Sequence, residues 1–381
     1  MKDKHLLVKV ILMLVLLPGN ILNMKAQTLV QPPFIHEGDS VALISPSYFL
    51  NDSTVQIAAN IIRGWGFVPV LGPNIGRVFA GKYAGTVDER VSDMKWAYES
   101  DNIKAIVCTR GGYGAIQMLD QISASEYTSH PKWLMGYSDA TTFHSASVVA
   151  GVMSIHGTMG SQMASFGAND STCILAKELL EGKIPSYQLP THSYNQEGTA
   201  EGILIGGNMA TYSPLVGSAY DFTSGDNLII FIEEVGESAH NIDRMFNILK
   251  LHGVLPRVKG IILGEFTDCG HEFTYGSIEE MLSQYTKEMN IPVMCGFPCG
   301  HGDINLPLIE GAPVTLTVTA DSAMLKFDVK GGEAASIQIL EKENIINMSS
   351  ADWFRLDGTR LQSTPTAKGI YVYQGRKIVI R

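Results

Sequence analysis

The sequence predicts an α/β protein: an N-terminal parallel α/β sheet domain, a C-terminal mixed α/β, β-rich domain, and a short all-β tail. Three observations carry this. Between residues 40 and 150, short apolar, β-rich runs alternate with amphipathic helical patterns, an order that builds a parallel sheet with helices on the crossovers. Between residues 182 and 199 the alternation lapses into a polar, proline-containing stretch, after which a second mixed block begins. In the last fifty residues, short alternating runs flank Asp357-Gly358 and Gln374-Gly375, a pattern typical of hairpin meanders. With 381 residues, 45% hydrophobic and 17% charged, the chain is long enough for two cores and too apolar for a disordered polymer.

Residues 1–26 read as a signal peptide. Lys2, Lys4 and Lys9 precede or open the apolar run of residues 10–17, Pro18-Gly19 breaks any helix, and Ala26 offers a cleavage point. The run is shorter than the ~20 residues of a membrane span, an uncleaved anchor being the alternative, and no later segment is long and apolar enough to span. No Cys lies near the cut to accept a lipid. The expectation is a soluble exported protein, periplasmic, or secreted or displayed at the cell surface through its tail.

The N-terminal domain, residues 27–185, takes strands at 40–47, 68–71, 104–109 and 133–137 and helices at 54–65, 88–100, 115–122 and 140–150. The second helix opens on Asp88 and Glu89, which favour a helix N-terminus. In such a sheet the binding loops collect at the carboxyl ends of the strands. The domain boundary falls in the polar stretch. The C-terminal domain, residues 198–330, takes strands at 228–233, 258–263, 292–295 and 314–318 and helices at 241–251 and 278–289. The tail, residues 331–381, takes strands at 353–356, 369–373 and 377–380. Residues 354–381 resemble the end of the sorting modules of secreted Bacteroidetes-type proteins; the alternative is a pair of hairpins that stabilise the second domain.

Charge and cysteine content narrow the function classes. The 28 Lys+Arg against 38 Asp+Glu give a formal charge of −10, which repels phosphate backbones and argues against nucleic acid as a partner. Five cysteines are too few and scattered for a disulfide framework, and an odd count leaves a thiol free. Cys-Gly-His occurs at 269–271 and 299–301, a composition that could bind zinc, but small thiols after apolar strands more often fill cores. No metal is expected.

Four segments could do chemistry. In Gly136-Tyr137-Ser138-Asp139-Ala140 an apolar strand ends at a serine followed at once by a helix. A sharp strand-to-helix turn exposes the hydroxyl and aims backbone N–H groups at a substrate oxyanion, although a Ser-Asp pair there also reads as a helix cap. Arg110-Gly111-Gly112-Tyr113-Gly114 follows another strand; it lacks the phosphate-loop pattern, so an oxyanion donor from Gly112 and a carboxylate clamp from Arg110 fit better. The strand 228–233 ends in Glu233-Glu234, where a crowded carboxylate needs a partner, either solvent or a histidine it orients. His301 lies in the glycine-rich loop 296–302.

The ordered set of these motifs, with Gly206-Gly207-Asn208, His156-Gly157, Ile242-Asp243-Arg244-Met245 and residues 258–264, resembles the serine peptidase family of LD-carboxypeptidases and microcin C immunity peptidases over residues 35–320. The resemblance implies a Ser-His-Glu triad in which Ser138 is nucleophile, His301 general base and Glu233 the orienting acid. It further implies an oxyanion hole of the Gly112 and Asp139 N–H groups, with Arg110, Gly111 and Asn208 on the substrate. The family usually has Asp where this chain has Glu234, so Glu234 is the alternative acid. The implied site lies between the two domains, the implied substrate is a muropeptide cut before its terminal D-alanine, no metal or organic cofactor is required, and family members commonly form homodimers. Two alternatives are a peptidase acting on peptidyl- or aminoacyl-nucleotide antibiotics and a non-catalytic muropeptide-binding protein.

Overall fold

The computed structural model describes residues 29–270, 274–333, 336–340, 353–356 and 358–380. The expected signal peptide lies outside them. Five strands, β1 (Ser40–Ile44), β2 (Val68–Leu71), β3 (Ile103–Cys108), β4 (Trp133–Gly136) and β5 (Ser154–His156), form a parallel sheet in the order β2-β1-β3-β4-β5. Alternate residues feed opposite faces: Val41 and Leu43 of β1 join the core that includes Ala59 and Ile62 of the helix 52–64, Ala42 and Ile44 the core that includes Val91 and Met94 of the helix 87–99. The order reverses direction beside β1, so the loops after β1, β3 and β4 open into one crevice at their carboxyl ends.

Helices cover this sheet where sequence patterns place them. Asn51 caps Asp52–Gly64 through the Thr54 N–H, and Thr86 with Glu89 forms a reciprocal capping box on Val87–Glu99. Residues 115–122 are not an α-helix but a 3-10 helix, Ala115–Gln121, entered through Gly114 at φ +133°.

The second sheet starts earlier than the sequence implies. β6 (Lys183–Ile184) forms a small parallel pair with a distant segment, and β7 (Ser186–Pro190) lies inside the polar stretch in which the sequence places the domain boundary. Tyr187 and Leu189 are buried on one face of β7, an apolar alternation that the flanking prolines and polar residues mask. β8 (Gly198–Asn208), β9 (Leu228–Val235), β10 (Val258–Thr267) and β11 (Val293–Met294) run parallel side by side. β12 (Leu308–Glu310) returns to the first sheet, antiparallel to β5. β13 (Pro313–Val318) and β14 (Ser322–Phe327) then link β8 to β7 by antiparallel pairing. β15 (Gly332–Glu333) is the partner of β6.

The tail continues this sheet. β16 (Ile337–Leu340) pairs parallel with β7 and β19, while β17 (Trp353–Arg355), β18 (Gly369–Tyr373) and β19 (Arg376–Ile380) form an antiparallel meander. Trp353 is buried within it. The eleven-stranded result runs β11-β10-β9-β8-β13-β14-β7-β16-β19-β18-β17. One apolar core, including Met135 and Ile155 of the first sheet and Phe231 and Leu204 of the second, fills the space between the sheets.

Candidate active site

β4 is buried along its whole length and ends in a backbone bend that few residues tolerate: Ser138 sits at φ +62°. Left-handed backbone at a residue with a Cβ costs about 1–2 kcal/mol, so its surroundings must hold it there. Asp139 does so from a buried position, its Oδ2 accepting from Ser47 Oγ at 2.6 Å and from the Ala115 N–H at 2.8 Å. Burial lifts the Asp139 carboxyl above its usual range, opposed by those two hydrogen bonds and by the Arg90 guanidinium. Arg90 donates to Pro46 O, Gly114 O and Gln117, tying the β1 and β3 loops together behind the bend. Gly136 allows the approach, since a Cβ there would stand 2.9 Å from that of Ala140. The cap reading of Ser138 is not observed. A one-turn 3-10 helix, Ser138–Ala140, leads into Thr141–Ala150, whose N-cap is Ala140, and no side chain caps either.

The β3 loop lies against the serine. A Cβ on Gly111 would sit 3.0 Å from Ser138 Oγ and 3.4 Å from the Asp139 nitrogen, and one on Gly112, at φ +114°, would overlap the Tyr48 ring. Only glycine lets main chain pass between Ser138 and Tyr48. Arg110 is exposed at the rim, its guanidinium 5.9 Å from the Tyr48 ring centroid.

On β9, Ile229 and Phe231 face the first sheet, while Ile230 and Ile232 face away. Glu233 continues the first set and Glu234 the second. Glu233, fully buried, accepts from or shares a proton with His301 Nδ1 at Oε2, 2.7 Å away. Glu234 instead accepts from Asn208 Nδ2 and the Ala210 N–H at 2.7 Å, and from the Val235 N–H at 2.9 Å. Burial pushes Glu234 up to about 7, helped by the charge of Glu233 and resisted by those donors. For His301, burial disfavours the cation, but the charge and hydrogen bond of Glu233 outweigh it and hold the imidazole above the ordinary histidine range.

His301 rides on a loop whose shape is set from within. Asn305, buried and missed by the sequence reading, accepts the Gly300 N–H at 3.0 Å and faces Cys299 Sγ at 3.2 Å, while the Leu306 N–H donates to Pro298 O at 3.0 Å. The imidazole packs edge-on to the ring of Tyr137, centroids 5.0 Å apart, so it lies beside the residue that precedes Ser138. Among the described residues, Ser138 Oγ makes no hydrogen bond with it.

Asn208 is drawn into the fold. Besides its bond to Glu234, its Oδ1 accepts from the N–H and hydroxyl of Thr211 as the cap of a short helix, Met209–Tyr212. Its side chain therefore fixes Glu234 and does not point a free acceptor at a ligand. All five cysteines are buried and free. Among the described residues no group of three or more His, Cys, Asp or Glu could hold a metal ion; His271 lies outside them. No helix of the described residues is long and apolar enough to cross a membrane.

The two halves of this arrangement correspond to two known domains. The profile of the LD-carboxypeptidase N-terminal domain matches residues 41–157, and that of the C-terminal domain residues 201–316. A protein of Synechocystis sp. that carries a carboxypeptidase name is 32% identical over 302 residues, covering 78% of this chain and 97% of its own. The chain belongs to the LD-carboxypeptidase family. A murein tetrapeptide carboxypeptidase of Pseudomonas aeruginosa is 29% identical over 279 residues, 70% of this chain and 89% of its own. The solved muramoyltetrapeptide carboxypeptidase of Oxalobacter formigenes, 24% identical, superposes with a TM-score of 0.70 over 77% of this chain and 99% of that one. The two profiles thus span Ser138 on one side and Glu233 and His301 on the other, and stop short of the tail.

Proposed function

We propose that this member of the LD-carboxypeptidase family is an exported serine peptidase that removes the terminal D-alanine of murein tetrapeptides, with Ser138 as nucleophile, His301 as general base and Glu233 as the acid that orients it. The observation that carries the reading is the 2.7 Å contact of Glu233 with His301 Nδ1 beside the strained Ser138 bend. With Nδ1 engaged, Nε2 is the nitrogen left to take the serine proton. A hydroxyl attacks a peptide carbonyl only when a base removes that proton, and the left-handed backbone at Ser138 presents the hydroxyl clear of its strand.

The proposed reaction runs in two displacements. Ser138 Oγ adds to the carbonyl carbon of the diamino acid as its proton passes to His301, and the carbonyl oxygen becomes an oxyanion beside the N–H groups of Gly112 and Asp139. Each such donor contributes about 3–4 kcal/mol to the transition state. His301 returns the proton to the D-alanine nitrogen as the C–N bond breaks. Water, deprotonated by the same imidazole, then cleaves the acyl-enzyme. In this reading Arg110, exposed at the rim, meets the terminal carboxylate of the leaving residue.

The test uses the mature protein with a murein tetrapeptide and chromatographic detection of free D-alanine. Release by the native protein, lost in Ser138→Ala at unchanged melting temperature, is the expected result. Equal release by the variant overturns the serine mechanism; binding of the peptide without turnover or labelling of Ser138 by a reactive serine probe supports the binding-protein alternative, and preferred cleavage of a peptidyl-nucleotide supports the antibiotic peptidase. The preference for export over a cytoplasmic role rests on residues 1–26 alone.

A further inference from the structure

A buried cation lies behind the proposed oxyanion hole. Arg90 projects from the first turn of the helix Val87–Glu99 and is 2% exposed. A guanidinium is costly to bury unless its donors and its charge are both met. Three acceptors from separate segments meet the donors. Nη1 donates to Pro46 O, after β1, at 2.8 Å and to Gly114 O, after β3, at 2.9 Å, and Nη2 donates to Gln117 Oε1 at 2.8 Å. The ring of Tyr83 covers the group, 5.3 Å from its centroid, and the Asp139 carboxylate supports its charge.

The segments so tied carry both proposed hole donors. Gly112 lies two residues before Gly114, whose carbonyl Arg90 holds, and three before Ala115, whose N–H donates to Asp139 Oδ2 at 2.8 Å. The Asp139 N–H belongs to the residue whose own side chain makes that bond and accepts from Ser47 Oγ at 2.6 Å. One donor therefore hangs from Arg90 and Asp139 together, and the other from Asp139. The loop is shaped for the cation: a Cβ on Gly114, at φ +133°, would stand 2.6 Å from Nη1. A planar fork reaches acceptors in three segments at once, which the single nitrogen of an ammonium does not.

We propose that Arg90 is a positioning residue of the oxyanion hole: with the Asp139 carboxylate it sets the spacing of the Gly112 and Asp139 N–H groups, and so acts on turnover and not on substrate binding. This rests on the serine mechanism of the proposed function and is independent of the murein substrate. Loss of one such donor costs about 10²–10³ in kcat, and a misplacement of ~1 Å about 10².

Arg90→Lys tests it, because it keeps a buried charge to face Asp139 and removes the fork. The readouts are kcat and KM on a murein tetrapeptide, the rate at which a fluorophosphonate labels Ser138, followed by mass spectrometry, and amide exchange. Both kcat and the labelling rate are expected to fall about 100-fold while KM stays within about threefold. The acid limb of kcat/KM keeps its position, since the Glu233–His301 contact is untouched. Exchange quickens at residues 111–115 and 139–140. Native kcat and labelling rate, a loss confined to KM, or a displaced acid limb overturns the proposal. If Arg90→Lys does not fold, Gly114→Ala crowds Nη1 with the cation in place; the same pattern there supports the proposal and native rates overturn it. Labelling needs no murein, so a native protein that is labelled at Ser138 without cleaving the tetrapeptide removes the substrate reading alone, and the labelling rates then decide the role of Arg90.

Discussion

Gly300 presses its backbone against the carboxylate of Glu233: a Cβ built on this glycine would stand 2.6 Å from Oε2, the oxygen that meets His301. Its φ of +126° is also closed to ordinary side chains. The residue before the histidine thus sets how near the loop comes to its acid. Gly300→Ala should push the loop away and lower kcat by two orders of magnitude or more, with a smaller change in KM. Steady-state kinetics on a tetrapeptide check this, and circular dichroism should show the native fold.

The two adjacent acids of β9 should behave differently when made neutral. Glu233→Gln keeps the size of the side chain but removes the charge that fixes the imidazole tautomer, and loss of a triad acid of this kind costs up to about 10⁴ in kcat. Glu234→Gln leaves the His301 contact intact and affects a group already near half protonation at neutral pH, since burial lifts it to about 7. Its kcat should stay within about tenfold of the native value. A reversed order of the two losses would transfer the triad role to Glu234.

The pH dependence follows from His301. Its pKa is raised, so in the proposed mechanism the neutral imidazole that would accept the serine proton predominates only at a pH above the ordinary histidine value of ~6.5. Activity should therefore rise with pH along an acid limb centred above that value, and fall as pH drops through it. In Glu233→Gln the raising charge is gone and burial remains, so the limb of the residual kcat/KM should move to lower pH. An unchanged limb would detach it from this pair.

Much of this arrangement was legible in the chain, and the exceptions have physical causes. Ser138 was marked by its place between an apolar strand and a helix, and that Glu233 rather than Glu234 meets His301 accords with parity along residues 229, 231 and 233, a signal present in the sequence once the buried face is known. Asn305 was not, because a loop asparagine that accepts a backbone N–H looks like any other until the chain closes on itself. Asn208 shows the converse: a polar residue in a glycine-rich motif drew a ligand role, and the structure adds bonds to Glu234 and to the start of a short helix that no local pattern announces. β7 was hidden by Pro185 and Pro190, which broke a strand pattern only five residues long. The docking of the tail depends on pairing between residues about 150 positions apart, such as Tyr187 with Ile337, which no local period reports.

Glu310 offers a test of the fold that is independent of catalysis. It lies on β12, the strand that returns from the second half of the chain to the first sheet, and is fully buried. Burial pushes its carboxyl up to about 8, which the Gly206 N–H resists only in part. A folded-state pKa above the unfolded carboxylate value of ~4.3 means that the folded protein binds the extra proton between those limits. The stability this gives is fully present below pH ~4.3 and is lost as pH rises through about 8. Glu310→Gln carries no charge to bury, so its melting temperature should match that of the native protein at low pH and exceed it by a few degrees above pH 8, measured by scanning calorimetry across the range. A constant difference between the two proteins at every pH would mean that the side chain acts through packing and not through its proton.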